Sequence, residues 1–271
     1  RVERILHLVT TDHMHLRIDP HCISPALSSW TSPIILNAVD TEGLTINRIA
    51  PVRRLQLSEH SWVDVVDCFV RDAPSEFSEI SSTTPWLQGE VLRYDSYVPE
   101  QRLGAGLRAE SRALLRQTEL HLEATYRRRF SGVGALLYRD GNDHQGLHSD
   151  RELRWLDDTL IAIVVLGQHR PFVVRRRSPM TDINRIPAGK DPADTVLTPG
   201  EGDMLVMGGA MQREFLHGVP SFETPYPRIS LTWRWTSRRG RPDTAPSYFD
   251  GRQYGDRPRQ PGTRRTRPTN R

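Results

Sequence analysis

The stretch Thr159-Leu160-Ile161-Ala162-Ile163-Val164-Val165-Leu166-Gly167 is the most apolar part of the chain. Its β-branched residues and its terminal glycine are typical of a buried strand. Further short strands are predicted on both sides of it, at residues 133–138, 172–174, 203–208 and 228–235. Many short strands separated by turns favour a sandwich or barrel of the jelly-roll type. The fold class that we predict is therefore mainly β with flanking helices (α+β).

Helices are predicted mainly in the first half of the chain. Residues 62–70 place Trp62, Val65, Val66 and Phe69 at helical spacing, after a possible cap at Ser58 or Ser61. A second, short helix is predicted at residues 75–80, and the clearest helix covers residues 109–130. Between these two, residues 91–103 alternate apolar with polar side chains, which predicts an edge hairpin or a lid.

The composition is that of a globular protein without a membrane span. Of the 271 residues, 37% are hydrophobic and 26% are charged, and no apolar run approaches the roughly 18 residues that a membrane helix needs. The two cysteines, Cys22 and Cys68, are too few for a disulfide framework, so we expect reduced thiols. These features predict a cytoplasmic monomer.

The positive charge is concentrated at the end of the chain. From Ser237 onward there are ten Arg and three Asp, a balance of +7, so the first 236 residues carry 4 − 7 = −3. Residues 237–271 are predicted to be a basic, disordered tail, because they are rich in Arg, Pro and Gly and poor in aliphatic side chains. The predicted domains are an N-terminal extension at 1–50, a folded domain at 51–236 and this tail.

A metal site is indicated by His148 and Asp150. Side chains two apart on an extended segment point to the same face, so both can ligate one ion. His217 can complete the set from a distant strand. Two imidazoles and a carboxylate, with positions left open, are the pattern of non-haem Fe(II) oxygenases. Arg228, at the start of the last strand, can pair with the far carboxylate of a 2-oxoacid cosubstrate.

Three motifs, in order, resemble the AlkB family of Fe(II)/2-oxoglutarate dioxygenases. They are the segment from Tyr138 to Asp150, the segment from Gly202 to His217, and the Arg-x5-Arg signature of Arg228 and Arg234. The resemblance covers roughly residues 53–236. It is strongest to actinobacterial members of the family. It implies a double-stranded β-helix and the oxidative dealkylation of N-alkylated nucleobases, with Fe(II), 2-oxoglutarate and O2 as the reactive partners.

The resemblance also implies roles for individual residues. His148, Asp150 and His217 would hold the iron, while Arg228, Tyr138 and Arg234 would contact 2-oxoglutarate. Glu152 stands where the family often has an acidic residue beside the target base. The further candidates for substrate contact are Tyr94, Arg93, Trp86 and Phe215. For Trp86 and Phe215, packing in the core is the competing interpretation.

Two departures from the family pattern concern the cosubstrate and the substrate. Leu136 replaces an Asn that the family usually has two residues before the Tyr, so one hydrogen bond to the cosubstrate is missing or is supplied elsewhere. The sequence Arg102-Leu103-Gly104-Ala105 lacks the aromatic residue that many members have after Arg-Leu. The leading hypothesis is repair of alkylated DNA or RNA. The alternatives are the same chemistry on a small molecule or a protein, and a non-catalytic jelly-roll binding module.

Overall fold

The computed structural model describes residues 43–93, 96–130, 132–150, 153, 156–177 and 186–237. The strands of this part are β1 (Arg53–Gln56), β2 (Ser61–Val66), β3 (Leu87–Arg93), β4 (Ser96–Leu107), β5 (Val133–Tyr138), β6 (Gln145–His148), β7 (Thr159–Gly167), β8 (Phe172–Arg176), β9 (Thr195–Leu197), β10 (Met204–Gly209), β11 (Phe215–Val219) and β12 (Arg228–Thr236). The helices are α1 (Ala73–Thr83), α2 (Ala113–Tyr126) and α3 (Met211–Glu214), with a 3₁₀ turn at Ala109–Ser111 before α2.

Two antiparallel sheets form the core. The larger has the order β1-β2-β10-β7-β12-β5-β4-β3, and the smaller has the order β6-β11-β8-β9. Strands that are distant in the sequence are neighbours in both sheets, as the crossing connections of a jelly roll require. The prediction of a mainly β, jelly-roll fold is confirmed.

The alternation of side chains along β7 explains how this sheet is buried on both faces. Leu160, Ala162, Val164 and Leu166 belong to one apolar cluster, which also contains residues of α1 and α2. The intervening residues face the other way and pack with Phe172 and Val174 of the small sheet, in a second cluster. A strand with two buried faces has a continuous apolar sequence. The helices therefore cover the outside of the large sheet, and the small sheet covers its inside.

The helix that we predicted at residues 62–70 is wrong, because Ser61–Val66 forms strand β2. This strand lies between β1 and β10, and Val63, Val65 and Val66 are all buried. β-Branched residues fit such a position well. The short helix at 75–80 is confirmed as part of α1, where Asp72 accepts a hydrogen bond from the Ser75 N–H at 3.3 Å as N-cap. The clearest predicted helix is confirmed in part, since α2 is shorter than 109–130.

The hairpin predicted at 91–103 is confirmed as β3 and β4, which form one edge of the large sheet. Ile46, which precedes the predicted domain boundary at residue 50, is fully buried and bridges Val70. The domain bounds stay a prediction. The expectation of reduced thiols involves Cys22, which lies outside the described residues. Most of the predicted extension and the tail from residue 238 onward also lie outside them.

The helices of the described part are short, and α2, with 14 residues, is the longest of them. None of these helices combines the length and the apolarity that a bilayer crossing needs.

Asp64 of β2 is expected to be important for stability. Its buried carboxylate accepts hydrogen bonds from Arg54 at 2.7 and 2.8 Å and from the Tyr126 hydroxyl at 2.9 Å. Asp64→Ala leaves the half-buried Tyr126 hydroxyl without its acceptor, so we expect the free energy of unfolding to fall by about 2 kcal/mol. Urea unfolding measures this. Asp67→Ala, at an exposed position next to the end of the strand, is the control and should change stability little. Equal effects of the two variants would contradict the prediction.

Candidate metal centre and cosubstrate site

Two histidines and one aspartate converge on the inner side of the small sheet. His148 ends β6, and it is the register partner of His217 in the neighbouring strand β11. Asp150 follows His148 by two residues, and the extended backbone brings its carboxylate to the same side. One ligand atom from each of the three residues lies within 4.8 Å of the others. This spacing suits the coordination of a single ion by a two-His, one-carboxylate face.

Both imidazoles are prepared to act as ligands. The Nδ1 of His148 lies 2.9 Å from the carbonyl oxygen of Gly146, which can only accept, and 3.2 Å from the Gln145 side-chain amide. The shorter contact favours a proton on Nδ1. Nε2 then presents its lone pair, 3.8 Å from the Oδ1 of Asp150. Burial, with a smaller effect from His148, lowers the pKa of His217 to about 3. Burial also lowers the pKa of His148. Neutral imidazole is the form that binds a metal.

The carboxylate of Asp150 is held by Arg234. The Arg234 Nε donates to Asp150 Oδ2 at 2.7 Å, which leaves Oδ1 on the side of His148. Burial opposes ionisation of Asp150, but Arg234 and the two histidines outweigh it and lower the pKa of this carboxyl below its ordinary value. Asp150 is thus an oriented anion at neutral pH. Arg234, which the resemblance assigned to the cosubstrate, contacts a candidate metal ligand.

Arg228 is a buried cation whose hydrogen-bonding groups are unused within the described part of the chain. Its side chain is fully buried, and its Nε, Nη1 and Nη2 atoms have no partner among the described residues. Burial is the main cause that lowers the pKa of Arg228 to about 10, so the guanidinium remains protonated at neutral pH. An unpaired buried charge is costly, whereas an incoming carboxylate would satisfy it. The donor set therefore fits the far carboxylate of 2-oxoglutarate.

The alternation along β12 places the polar side chains of this strand on the inner face. Ile229, Leu231 and Trp233 pack in the helix-side cluster, which is the apolar cluster that includes residues of α1 and α2. Arg228 and Arg234 are six residues apart and therefore lie on the opposite face of the strand. Tyr138 of β5 is the register partner of Arg228, and the Arg228 Cζ lies 5.8 Å from the centre of its ring. The Arg-x5-Arg spacing therefore puts both cations on the side of the sheet that carries the candidate site.

Arg170 was not identified from the sequence. It is fully buried and donates to the carbonyl oxygens of Asp140, Asp143 and Pro220, at 2.9, 2.7 and 3.0 Å. It ties the turn before β6 to the segment after β11, and so supports the two strands that carry the histidines. Its partners are main-chain atoms from two distant turns, so no sequence pattern could have indicated it.

The substrate candidates are dispersed. Trp86 packs against the helix-side cluster, and its indole N–H donates to the Ser81 carbonyl oxygen at 3.0 Å. Phe215 is buried in the cluster between the sheets. Core packing thus accounts for both aromatic residues. Tyr94, Glu152 and the side chain of Arg93 lie outside the described part, so their contact with substrate stays a prediction.

The chain was compared with known proteins. Residues 77–234, more than half of the chain, match the 2OG-Fe(II) oxygenase superfamily. The alpha-ketoglutarate-dependent dioxygenase alkB homolog 3 of Bos taurus is 26% identical over 186 residues, which cover 61% of this chain and 62% of that protein. The protein of the same name from Homo sapiens is 26% identical over 193 residues, or 64% of this chain and 65% of that protein. The chain thus spans less than two thirds of the length of these relatives.

Among solved structures, HygX from Streptomyces hygroscopicus with nickel, 2-oxoglutarate and hygromycin B bound gives a TM-score of 0.48 at 12% identity, over 64% of this chain and 82% of that chain. The sequence match spans α2, the small sheet, the large sheet from β3 into β12, the three converging ligand residues and Arg228. The chain therefore belongs to the 2OG-Fe(II) oxygenase superfamily, and its sequence is AlkB-like.

Proposed function

We propose that this protein is an Fe(II)- and 2-oxoglutarate-dependent dioxygenase that removes alkyl groups from the nitrogen atoms of nucleobases. The observation that carries the proposal is the combination of two features. His148, Asp150 and His217 converge, and the buried guanidinium of Arg228 has no hydrogen-bond partner among the described residues. A structural metal site would not need such a cation nearby, whereas a dicarboxylate cosubstrate does.

Each of these residues has a defined task in the proposed reaction. His148, Asp150 and His217 would hold the iron and leave the opposite face open, and Arg228 would bind the far carboxylate of 2-oxoglutarate. Arg234 keeps Asp150 ionised and oriented. The bound iron supplies the activation of O2. In balance, an N-methyl base, 2-oxoglutarate and O2 give the N–H base, formaldehyde, succinate and CO2.

Two features support a nucleobase substrate. The first is the AlkB-like sequence, with its three motifs in order. The second is a cation beside the ligand segment, since Arg177 donates to the Ser149 hydroxyl at 2.5 Å. This charge would favour an anionic substrate near the metal, such as a nucleic-acid strand.

The second candidate function keeps the iron chemistry and changes the substrate to a small molecule or a protein. Residues 1–236 carry a net charge of −3, which does not by itself favour a polyanion. Gly104 and Ala105 of β4 also offer no aromatic ring for stacking on a base. A nucleic-acid dealkylase would then rely on local cations rather than on overall charge.

Formaldehyde release distinguishes the two functions. We expect the protein, with Fe(II), 2-oxoglutarate and ascorbate, to release formaldehyde from N-methylated single-stranded DNA or RNA, and none from the same unmethylated strands. Methylated free nucleosides are the third substrate in the panel. Succinate formed without formaldehyde from any of these substrates would favour the small-molecule or protein alternative. No iron-dependent succinate at all would favour a non-catalytic binding module.

A further inference from the structure

Gln212 of α3 contacts the main chain of a proposed metal ligand. Its side chain is fully buried, and its Oε1 accepts a hydrogen bond from the backbone N–H of Asp150 at 2.8 Å. Gln212 also precedes His217 by only five residues, in the helix that leads into β11. One side chain therefore connects the segment of the two early ligands with the segment of the late one, although they are more than 60 residues apart in the sequence.

The helix that carries Gln212 is itself fixed to the rest of the fold. The Glu214 carboxylate accepts from the hydroxyls of Ser58 and Ser61 at 2.5 and 2.9 Å, which anchors α3 to the start of β2. The backbone N–H of Arg177 donates to the Glu214 carbonyl oxygen at 2.8 Å. Gln212 thus extends from an anchored support rather than from a free loop.

A second contact joins the same two segments. The Arg177 Nη2 donates to the Ser149 hydroxyl at 2.5 Å and lies 3.4 Å from the Gln212 carbonyl oxygen. Ser149 separates the two early ligands, His148 and Asp150. The ligand segment is therefore connected to α3 at two successive residues, once through Arg177 and once through Gln212.

The amide group of Gln212 uses only part of its hydrogen-bonding capacity. The Asp150 N–H can only donate, so it determines which end of the amide is the oxygen. The buried Nε2 then has no hydrogen-bond partner among the described residues. A buried donor without an acceptor reduces stability. An apolar side chain of similar size would avoid this cost but would leave the Asp150 N–H without its acceptor, so the two effects on stability oppose each other.

We propose that Gln212 is a positioning residue, which holds the main chain of Asp150 so that its carboxylate stays in register with His148 and His217. This inference rests on the metal site of the proposed function. Partners behind the ligands commonly change metal affinity by about 10- to 100-fold. Gln212 acts through the backbone of the ligand, so it affects the geometry of the site without touching the ion.

The test is the affinity for Mn(II), measured on the full chain by the electron paramagnetic resonance signal of the free ion, with no turnover. We expect Gln212→Met, which removes the acceptor at similar volume, to bind Mn(II) about 10-fold more weakly than the wild type. Gln212→Glu keeps an acceptor oxygen and should recover most of this affinity. The melting temperature of the metal-free Gln212→Met protein should change no more than that of Thr118→Val. Thr118, in α2, is the matched control, because its buried hydroxyl also lacks a partner among the described residues.

The outcomes separate the two proposals. Mn(II) affinity within about twofold of the wild type in Gln212→Met would overturn the positioning role. Equal losses in Gln212→Met and Gln212→Glu would also overturn it, because the acceptor would then not be the cause. A wild-type chain that binds no Mn(II) would overturn the metal site itself and this inference with it. Weak binding by Gln212→Met, recovery by Gln212→Glu and an unchanged melting temperature would support it.

Discussion

His217→Ala is expected to abolish cosubstrate turnover and to weaken metal binding by more than about 100-fold, since even residues behind a ligand contribute 10- to 100-fold. The imidazole of His217 is buried, and burial keeps its pKa near 3, so it is a neutral ligand throughout the neutral range. No described side chain can replace it, because the group of potential ligands in this part of the chain consists of His148, Asp150 and His217. Iron-dependent succinate formation and Mn(II) titration measure the two effects.

His217→Ala should also remove the stabilisation of the folded state by bound metal. A ligand at 100 times its dissociation constant stabilises the folded state by about 2.7 kcal/mol. The wild type should therefore melt at a higher temperature with Mn(II) than with a chelator, and His217→Ala should not show this difference. His60→Ala, an exposed histidine in the turn before β2, is the control and should behave as the wild type. Wild-type turnover in His217→Ala would refute the assignment of the site.

Arg228→Met is expected to raise the KM for 2-oxoglutarate by about 100-fold, which corresponds to about 3 kcal/mol of lost binding. The cause is the removal of the buried guanidinium that would pair with the far carboxylate. Arg228→Lys keeps the charge but loses the two-pronged geometry, so its KM should lie between those of the wild type and Arg228→Met. Initial rates of succinate formation against 2-oxoglutarate concentration measure all three.

The free energy of unfolding of Arg228→Met, unlike its cosubstrate binding, should not fall. In the cosubstrate-free protein, Arg228 is a buried charge without a hydrogen-bond partner among the described residues, and replacing it by an apolar side chain removes the cost of its desolvation. Cosubstrate-free Arg228→Met should therefore be at least as stable as the wild type. Arg176→Met, at an exposed position of β8, is the control for losing an arginine. A strong loss of stability with an unchanged KM would assign Arg228 a structural role instead.

The sequence predicted those strands in which the spacing of apolar residues reflects which faces of the strand are buried. The alternation in β5 and β12 and the continuous apolar run of β7 follow from one or two buried faces, and these strands were predicted close to their bounds. The prediction of a helix at residues 62–70 was wrong because a strand with two buried faces has no distinctive period. Both faces of β2 are buried, so its apolar residues fit a helical period as well as a strand, and only the neighbouring strands decide between them.

The sequence by itself determined the identity and spacing of the metal-competent residues: His148 and Asp150 two apart, a late His217, and two arginines six apart on one face of the last strand. Only the tertiary structure decided how these groups interact. The pairing of β6 with β11 brings the two histidines into register, and Arg234 donates to the carboxylate of Asp150. Arg228 is buried without a hydrogen-bond partner in the described part of the chain. The hydrogen bonds by which Arg170 and Gln212 support the ligand segments also depend on the tertiary structure. These contacts join residues far apart in the chain, often through main-chain atoms, and a one-dimensional pattern contains no record of such distances.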